Sequence, residues 1–135
     1  MRKLNIIIGA ATVVLIVLLT AVTSRKQPDL LAYSAGNEIT AAGKVEDVQE
    51  FYCPVTDDRG THVVLNTDRG TILVHVAISR YLREQKFAIQ PGERLQVTGA
   101  RIRFQGKESM IAREIIRGDE VFILRDTAGK PLWSN

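Results

Sequence analysis

The sequence predicts a small all-β domain with one short helix, carried behind a single N-terminal transmembrane helix. Three observations predict it. Leu4 to Val22 form an almost unbroken apolar run with no charge inside it. From Glu38 onward apolar residues recur with period two, in runs separated by turn residues, which is the pattern of half-buried strands. Only Arg80 to Phe87 leaves that period and reads as helix.

The apolar run is flanked by Arg2 and Lys3 on one side and Arg25 and Lys26 on the other. A secretory core usually spans about 7–15 apolar residues and a membrane-crossing helix about 20. The run is closer to the second length, so residues 1–26 are expected to be a membrane anchor or signal-anchor. A removed signal peptide is the alternative, with Ala21 and Thr23, or Val22 and Ser24, as small-residue positions. Arg25 and Lys26 fit a helix end at the lipid interface better than a cleavage region. No cysteine ends the run, which excludes a lipoprotein anchor. The positive-inside comparison is close, but a short N-terminus before a first span favours N-inside. The expected location is the inner membrane of a bacterium, with the C-terminal domain periplasmic or extracellular. Residues 27–37 lack a clean period and read as a stalk, and 38–135 as one domain, since a chain this short supports one core.

The elements follow in order. Ile39, Ala41, Gly43 and Val45 alternate with polar neighbours, giving a long first strand with a bend expected near Gly43 or Asp47. Pro54 ends it, and Thr56 to Gly60 reads as a turn. Thr61–Asn66 and Thr71–Ile78 form a hairpin around Thr67 to Gly70. Only one register gives a coherent apolar face of Val63, Leu65, Ile72, Val74 and Val76. It sets Asn66 against Thr71, Val63 against Val74 and Thr61 against Val76. It also sets His62 directly opposite His75 on the other face. Ser79 is the expected helix cap, with Ile78, Tyr81, Leu82 and Gln85 facing the sheet. Leu95 and Val97 point inward. Beyond Gly99, the expected bulge, Ala100, Ile102 and Phe104 do so. Gln105 to Glu108 closes a hairpin into Ser109–Ile116. Gly118-Asp119 leads to a strand at Glu120–Arg125, and Asp126 to Gly129 to another at Lys130–Trp133. Phe122, Leu124, Leu132 and Trp133 are expected to staple this terminal hairpin to the barrel.

The segments AAGKVEDV, QPGERLQVTGARIRF and MIAREI resemble the first, fourth and fifth strands of bacterial OB-fold domains, over about residues 38 to 118. The resemblance implies a five-stranded Greek-key barrel, here with an added C-terminal hairpin. It also implies ligands lying across strands two and three, between the loops joining strands one to two and four to five. The layout of anchor plus barrel is also similar to the periplasmic haem chaperones of cytochrome c maturation. Their haem histidine lies in a C-terminal motif ending in tyrosine, and no histidine or tyrosine follows Ile116 here.

Charge narrows the function classes. The chain carries a formal +3, but without Arg2 and Lys3 it has 16 basic and 15 acidic residues. That balance gives no electrostatic footprint for nucleic acid. Acidic residues gather between Glu38 and Asp58, and basic ones between Arg94 and Arg117, as solvated faces that pair with each other. GxSxG, HExxH, P-loop, CxxC and Rossmann patterns are absent from the sequence, so it reads as a binding protein and not an enzyme, with no cofactor.

Candidate ligand-binding residues are His62, His75, Cys53, Arg94, Arg101, Arg103 and Lys107. His62 and His75 are the candidate metal ligands. Facing residues in a hairpin have Cβ atoms about 4.5–5.5 Å apart, close enough for two imidazoles to share an ion. Two histidines are an incomplete site, and Cys53, Asp57 or Asp58 are the available additions. The competing expectation puts both histidines on a solvated face and Cys53 in the core as a small hydrophobe. Arg94, Arg101 and Arg103 are expected to share the outer face of strand four, with Lys107 beside them, as a docking stripe. The leading expectation is a membrane-tethered module that binds another envelope protein. A metal or haem carrier is the alternative, and single-stranded nucleic acid a third.

Overall fold

The computed structural model describes residues 28–134. The expected span Leu4–Val22 lies outside these residues. Among the described residues no helix is long and apolar enough to cross a membrane.

Six strands and one short helix follow a 3₁₀ turn at Ala35–Asn37: β1 (Glu38–Cys53), β2 (Asp58–Thr67), β3 (Gly70–Ile78), α1 (Ser79–Glu84), β4 (Arg94–Phe104), β5 (Lys107–Arg117) and β6 (Glu120–Ile123). The strands hydrogen-bond in the order β3-β2-β1-β4-β5-β6, and a further β3–β5 pairing turns the first five into a ring. That closing contact is parallel, with Val74 opposite Met110 and His75 opposite Ile111. Every other pairing is antiparallel.

β1 is long because it serves two neighbours. Glu38–Lys44 pair with β4, and Gly43–Cys53 with β2. At the hand-over a Cβ on Gly43 would collide with the Asn66 carbonyl. The expected bend lies between Val45 and Asp47, where the register shifts. The second bulge differs from expectation. Thr98 faces Glu114 and Gly99 faces Ala112, so the extra residue is Arg113 on β5. Gly99 makes room for it, since a Cβ there would run into the Ile111 carbonyl. The Arg113 carbonyl accepts from the Leu124 N–H at 2.8 Å, which seats the chain beyond β6.

The main core holds Val45, Val63, Leu65, Val74, Val76, Leu95, Val97, Met110, Ala112 and Ile115, plugged at one side by Leu82, Phe87 and Ile89. A second cluster forms around Ile102, Phe104 and Ile111, with Leu31, Tyr33, Phe51, Val55 and Leu73 packed on it.

Several boundaries move. The first turn is Pro54–Asp57, because β2 already begins at Asp58. Ser79 is the first helical residue and caps nothing; its hydroxyl is within 2.9 Å of Thr61 Oγ1. The helix stops at Glu84, since Lys86 takes φ 54° and turns the chain so that Phe87 enters the core. Gln85 is exposed. The terminal hairpin reduces to one Arg125–Pro131 bridge after β6. Leu124 and Trp133 pack as expected, but Leu132 is half exposed and staples nothing.

The expected stalk is a strap. Leu30 bridges to Arg103 by hydrogen bonds of 3.0 Å in both directions, and the Asp29 carboxylate accepts from the Gly106 N–H. Tyr33 packs on the second cluster and donates its hydroxyl to Glu38 at 2.5 Å. Arg113 holds the same carboxylate at 2.6 Å, so acidic and basic stretches do meet here.

Candidate metal centre

Three strands deliver one buried cluster. Cys53 is the last residue of β1, where the Pro54–Asp57 turn folds back and the N–H of Asp57 donates to the Cys53 carbonyl at 2.8 Å. His62 on β2 and His75 on β3 face each other, as the apolar pattern of the hairpin requires. The expected match of Thr61 with Val76 fails. Thr61 faces Ala77, because Val76 is an extra residue in β3.

The Cys53 Sγ lies 3.3 Å from His75 Nδ1. One donor atom from each of Cys53, His62 and His75 falls within 4.8 Å of the other two. The three residues are 0%, 1% and 2% exposed. The expectation of a solvated histidine face is therefore wrong. Period two shows which residues share a face; it does not show what lies over that face. Here Phe51 stacks on His62 with centroids 3.6 Å apart and planes 5° apart. Phe104 meets His75 edge-on at 4.8 Å, and the two imidazoles meet at 4.8 Å and 82°.

Burial sets the protonation of the pair. It lowers His62 to about 4, against a partial offset from the Gly60 and Gln49 backbone. It lowers His75 to about 3, helped by His62 and Arg125. Both rings are neutral at physiological pH, the form that binds metals. His62 Nδ1 and His75 Nε2 have no hydrogen-bond partner among the described residues. Leaving a buried polar atom unpaired costs about 1–3 kcal/mol.

Asp57 and Asp58 do not join the cluster. Both are exposed, and the Asp57 carboxylate accepts the Tyr52 hydroxyl. The arginine stripe is also apart from it. Arg101 is paired with Glu108 at 2.6 Å, and Arg103 is half-buried with its guanidinium on the Pro28 carbonyl. Arg94 and Lys107 are exposed.

Sequence reasoning missed Arg125. It is buried, donates from NH1 to the Gly129 carbonyl at 3.0 Å, and lies 4.9 Å from the Trp133 ring centre. Burial lowers it to about 10, so it stays charged at neutral pH. Its position directly after the apolar run Val121–Leu124 was the available signal. Phe51, which stacks on His62, carries no sequence signal of that role.

Residues 37–122 match the MamS/MamX magnetosome protein family. The chain belongs to this family. The matched segment begins just before β1 and ends within β6, so it contains Cys53, His62 and His75. No curated protein matches the chain.

Proposed function

We propose that this MamS/MamX-family chain is a membrane-tethered OB-fold module that binds a transition-metal ion through Cys53, His62 and His75. The ring order, the long shared β1 and the single helix between β3 and β4 support the OB-fold reading. The apolar run Leu4–Val22 supports the tether, with the barrel on the exported side. The family is named for the magnetosome, and we place the module there.

One observation carries the metal reading: a thiol and two neutral imidazoles converge beside the rings of Phe51 and Phe104, with Cys53 Sγ 3.3 Å from His75 Nδ1 and His62 Nδ1 without a partner among the described residues. Metal–sulfur and metal–nitrogen bonds of about 2.3 and 2.0–2.1 Å put neighbouring donors roughly 3.4–3.8 Å apart. The Cys53–His75 pair already has nearly this spacing at 3.3 Å. The cluster's spread of up to 4.8 Å closes with side-chain shifts of about 1 Å. A docking role for the arginine stripe is less supported, because Arg101 is already paired with Glu108 and Arg103 donates to the Pro28 carbonyl.

The test uses the full chain, reduced and in detergent, dialysed separately against Zn²⁺, Co²⁺ and Cu⁺. The expected result is one tightly held ion per chain for at least one metal, lost in Cys53→Ser and in His75→Gln while far-UV circular dichroism is unchanged. Failure of all three metals to bind stoichiometrically would overturn the reading.

A further inference from the structure

We infer that the site selects a monovalent, thiophilic ion, cuprous copper, bound by three protein donors. This rests on the reading of Cys53, His62 and His75 as ligands and adds the identity of the ion.

The first ground is donor count. Among the described residues the cluster has three members and no carboxylate. Zinc sites take four protein ligands, or three and a water. A buried water needs about 2–4 polar partners, and the rings of Phe51 and Phe104 flank His62 and His75. Three-coordination suits Cu⁺, whereas a divalent ion would lack a fourth partner.

Charge is the second ground. A Cys53 thiolate and two neutral imidazoles carry −1 together. Cu⁺ makes the filled site neutral, and a divalent ion leaves it at +1. The donors are almost fully buried, where an uncompensated charge is costly. No acidic side chain belongs to the cluster to offset it. Arg125, itself buried and cationic, acts on His75 from nearby and adds to the penalty. Oxidation to Cu²⁺ would add one positive charge to the filled site. Softness is compatible with Cu⁺, because thiolate donors suit it as they suit zinc, while hard ions are disfavoured. Binding replaces the Cys53 S–H bond with an S–Cu bond and releases one proton to solvent, with no change of oxidation state.

The experiment is an anaerobic competition with the full chain in detergent, using Cu⁺ supplied as its acetonitrile complex and bicinchoninate as the competing chelator. The expected result is one Cu⁺ per chain, displaced by Ag⁺ and retained against a tenfold excess of Zn²⁺ or Co²⁺. Cys53→Ser should weaken Cu⁺ binding by more than about 100-fold, the upper end of what second-shell changes cause. His62→Gln should also weaken it, with thermal melting checking that each variant is folded. If Co²⁺ binds with a thiolate charge-transfer band and resists tenfold Cu⁺, the metal site stands and the monovalent selection is overturned. Absence of binding by every ion overturns both. Full Cu⁺ affinity in folded Cys53→Ser and His62→Gln variants places the ion elsewhere and also overturns both.

Discussion

An imidazole taken out of water loses more hydration when charged than when neutral. His62 and His75 are both in that position, with folded-state values near 4 and 3 against 6.5 for the free side chain. The unfolded chain therefore binds protons that the folded chain does not. Their contribution to stability is fully present above about pH 6.5 and is lost as pH falls toward 4 and then 3. The two rings together make a difference of about 4 kcal/mol between pH 7.5 and pH 5, so the metal-free protein should melt roughly 15 °C lower or more at pH 5, since 1 kcal/mol is worth about 4–8 °C in a domain of this size. A thermal scan in chelator at the two pH values measures it. In a folded His62→Phe variant the difference should shrink. Equal melting temperatures at both pH values would mean that the rings accept protons in place, and that the box is wetter than its 1–2% exposure indicates. The pairing of these two histidines was legible, because strand alternation fixes which residues oppose each other. Their burial was not, because the covering ring of Phe51 comes from the far half of β1, past the bulge between Val45 and Asp47.

At the scale of elements, the strap from Pro28 to Tyr33 changes the reading most. Leu30, Leu31 and Tyr33 showed no period because the segment forms no ladder; it touches the barrel at one bridge and a few side chains. Tyr33 is its main fastening. Burial and then the Glu38 carboxylate raise its hydroxyl to about 12, so it stays a donor across the physiological range. Tyr33→Phe keeps the ring beside Gly129 and deletes one hydrogen bond to a carboxylate that retains Arg113. The expected cost is about 1 kcal/mol, discounted because the pair is only partly buried. The melting temperature should fall by a few degrees, and limited proteolysis should cut earlier around residues 28–34. An unchanged cleavage pattern would show that the apolar packing of Leu31 holds the strap without Tyr33. The strands themselves were legible to within a few residues. After Gly99 only the burial of Ile102 and Phe104 was legible; β4 carries no extra residue, so they join the second cluster and not the core of Leu95 and Val97. The side of the second bulge was not legible. A glycine in a strand marks a close approach, and which partner carries the extra residue depends on the opposing strand, here at Arg113.

For the whole molecule, the strap would set how the barrel is presented to a bilayer under the proposed tether. If Leu4–Val22 span the membrane, only residues 23–27 separate the span from Pro28. At about 3.3–3.6 Å per extended residue, that link reaches no more than roughly 18 Å. Pro28 and Asp29 are held against Arg103 and Gly106, so such a span would keep the β4–β5 turn close to the lipid. Phe104, whose ring meets His75, immediately precedes that turn, so the proposed metal site would then lie toward the membrane. The β5–β6 turn at Gly118-Asp119 lies beyond the opposite end of β5, about 33 Å along the strand at roughly 3.3 Å per residue. Lys107 and Asp119 are both exposed, and the native Cys53 is fully buried. Single Lys107→Cys and Asp119→Cys variants therefore report on the two ends against a silent background. A membrane-impermeant maleimide added to intact spheroplasts should label both, as an exported domain requires. Nitroxide lipids should quench a fluorophore at position 107 more strongly than one at 119. Labelling of both sites only after lysis would put the barrel in the cytosol and reverse the charge argument from Arg2 and Lys3. Equal quenching at the two ends would free the barrel from the strap, and the metal site would then have no fixed relation to the membrane.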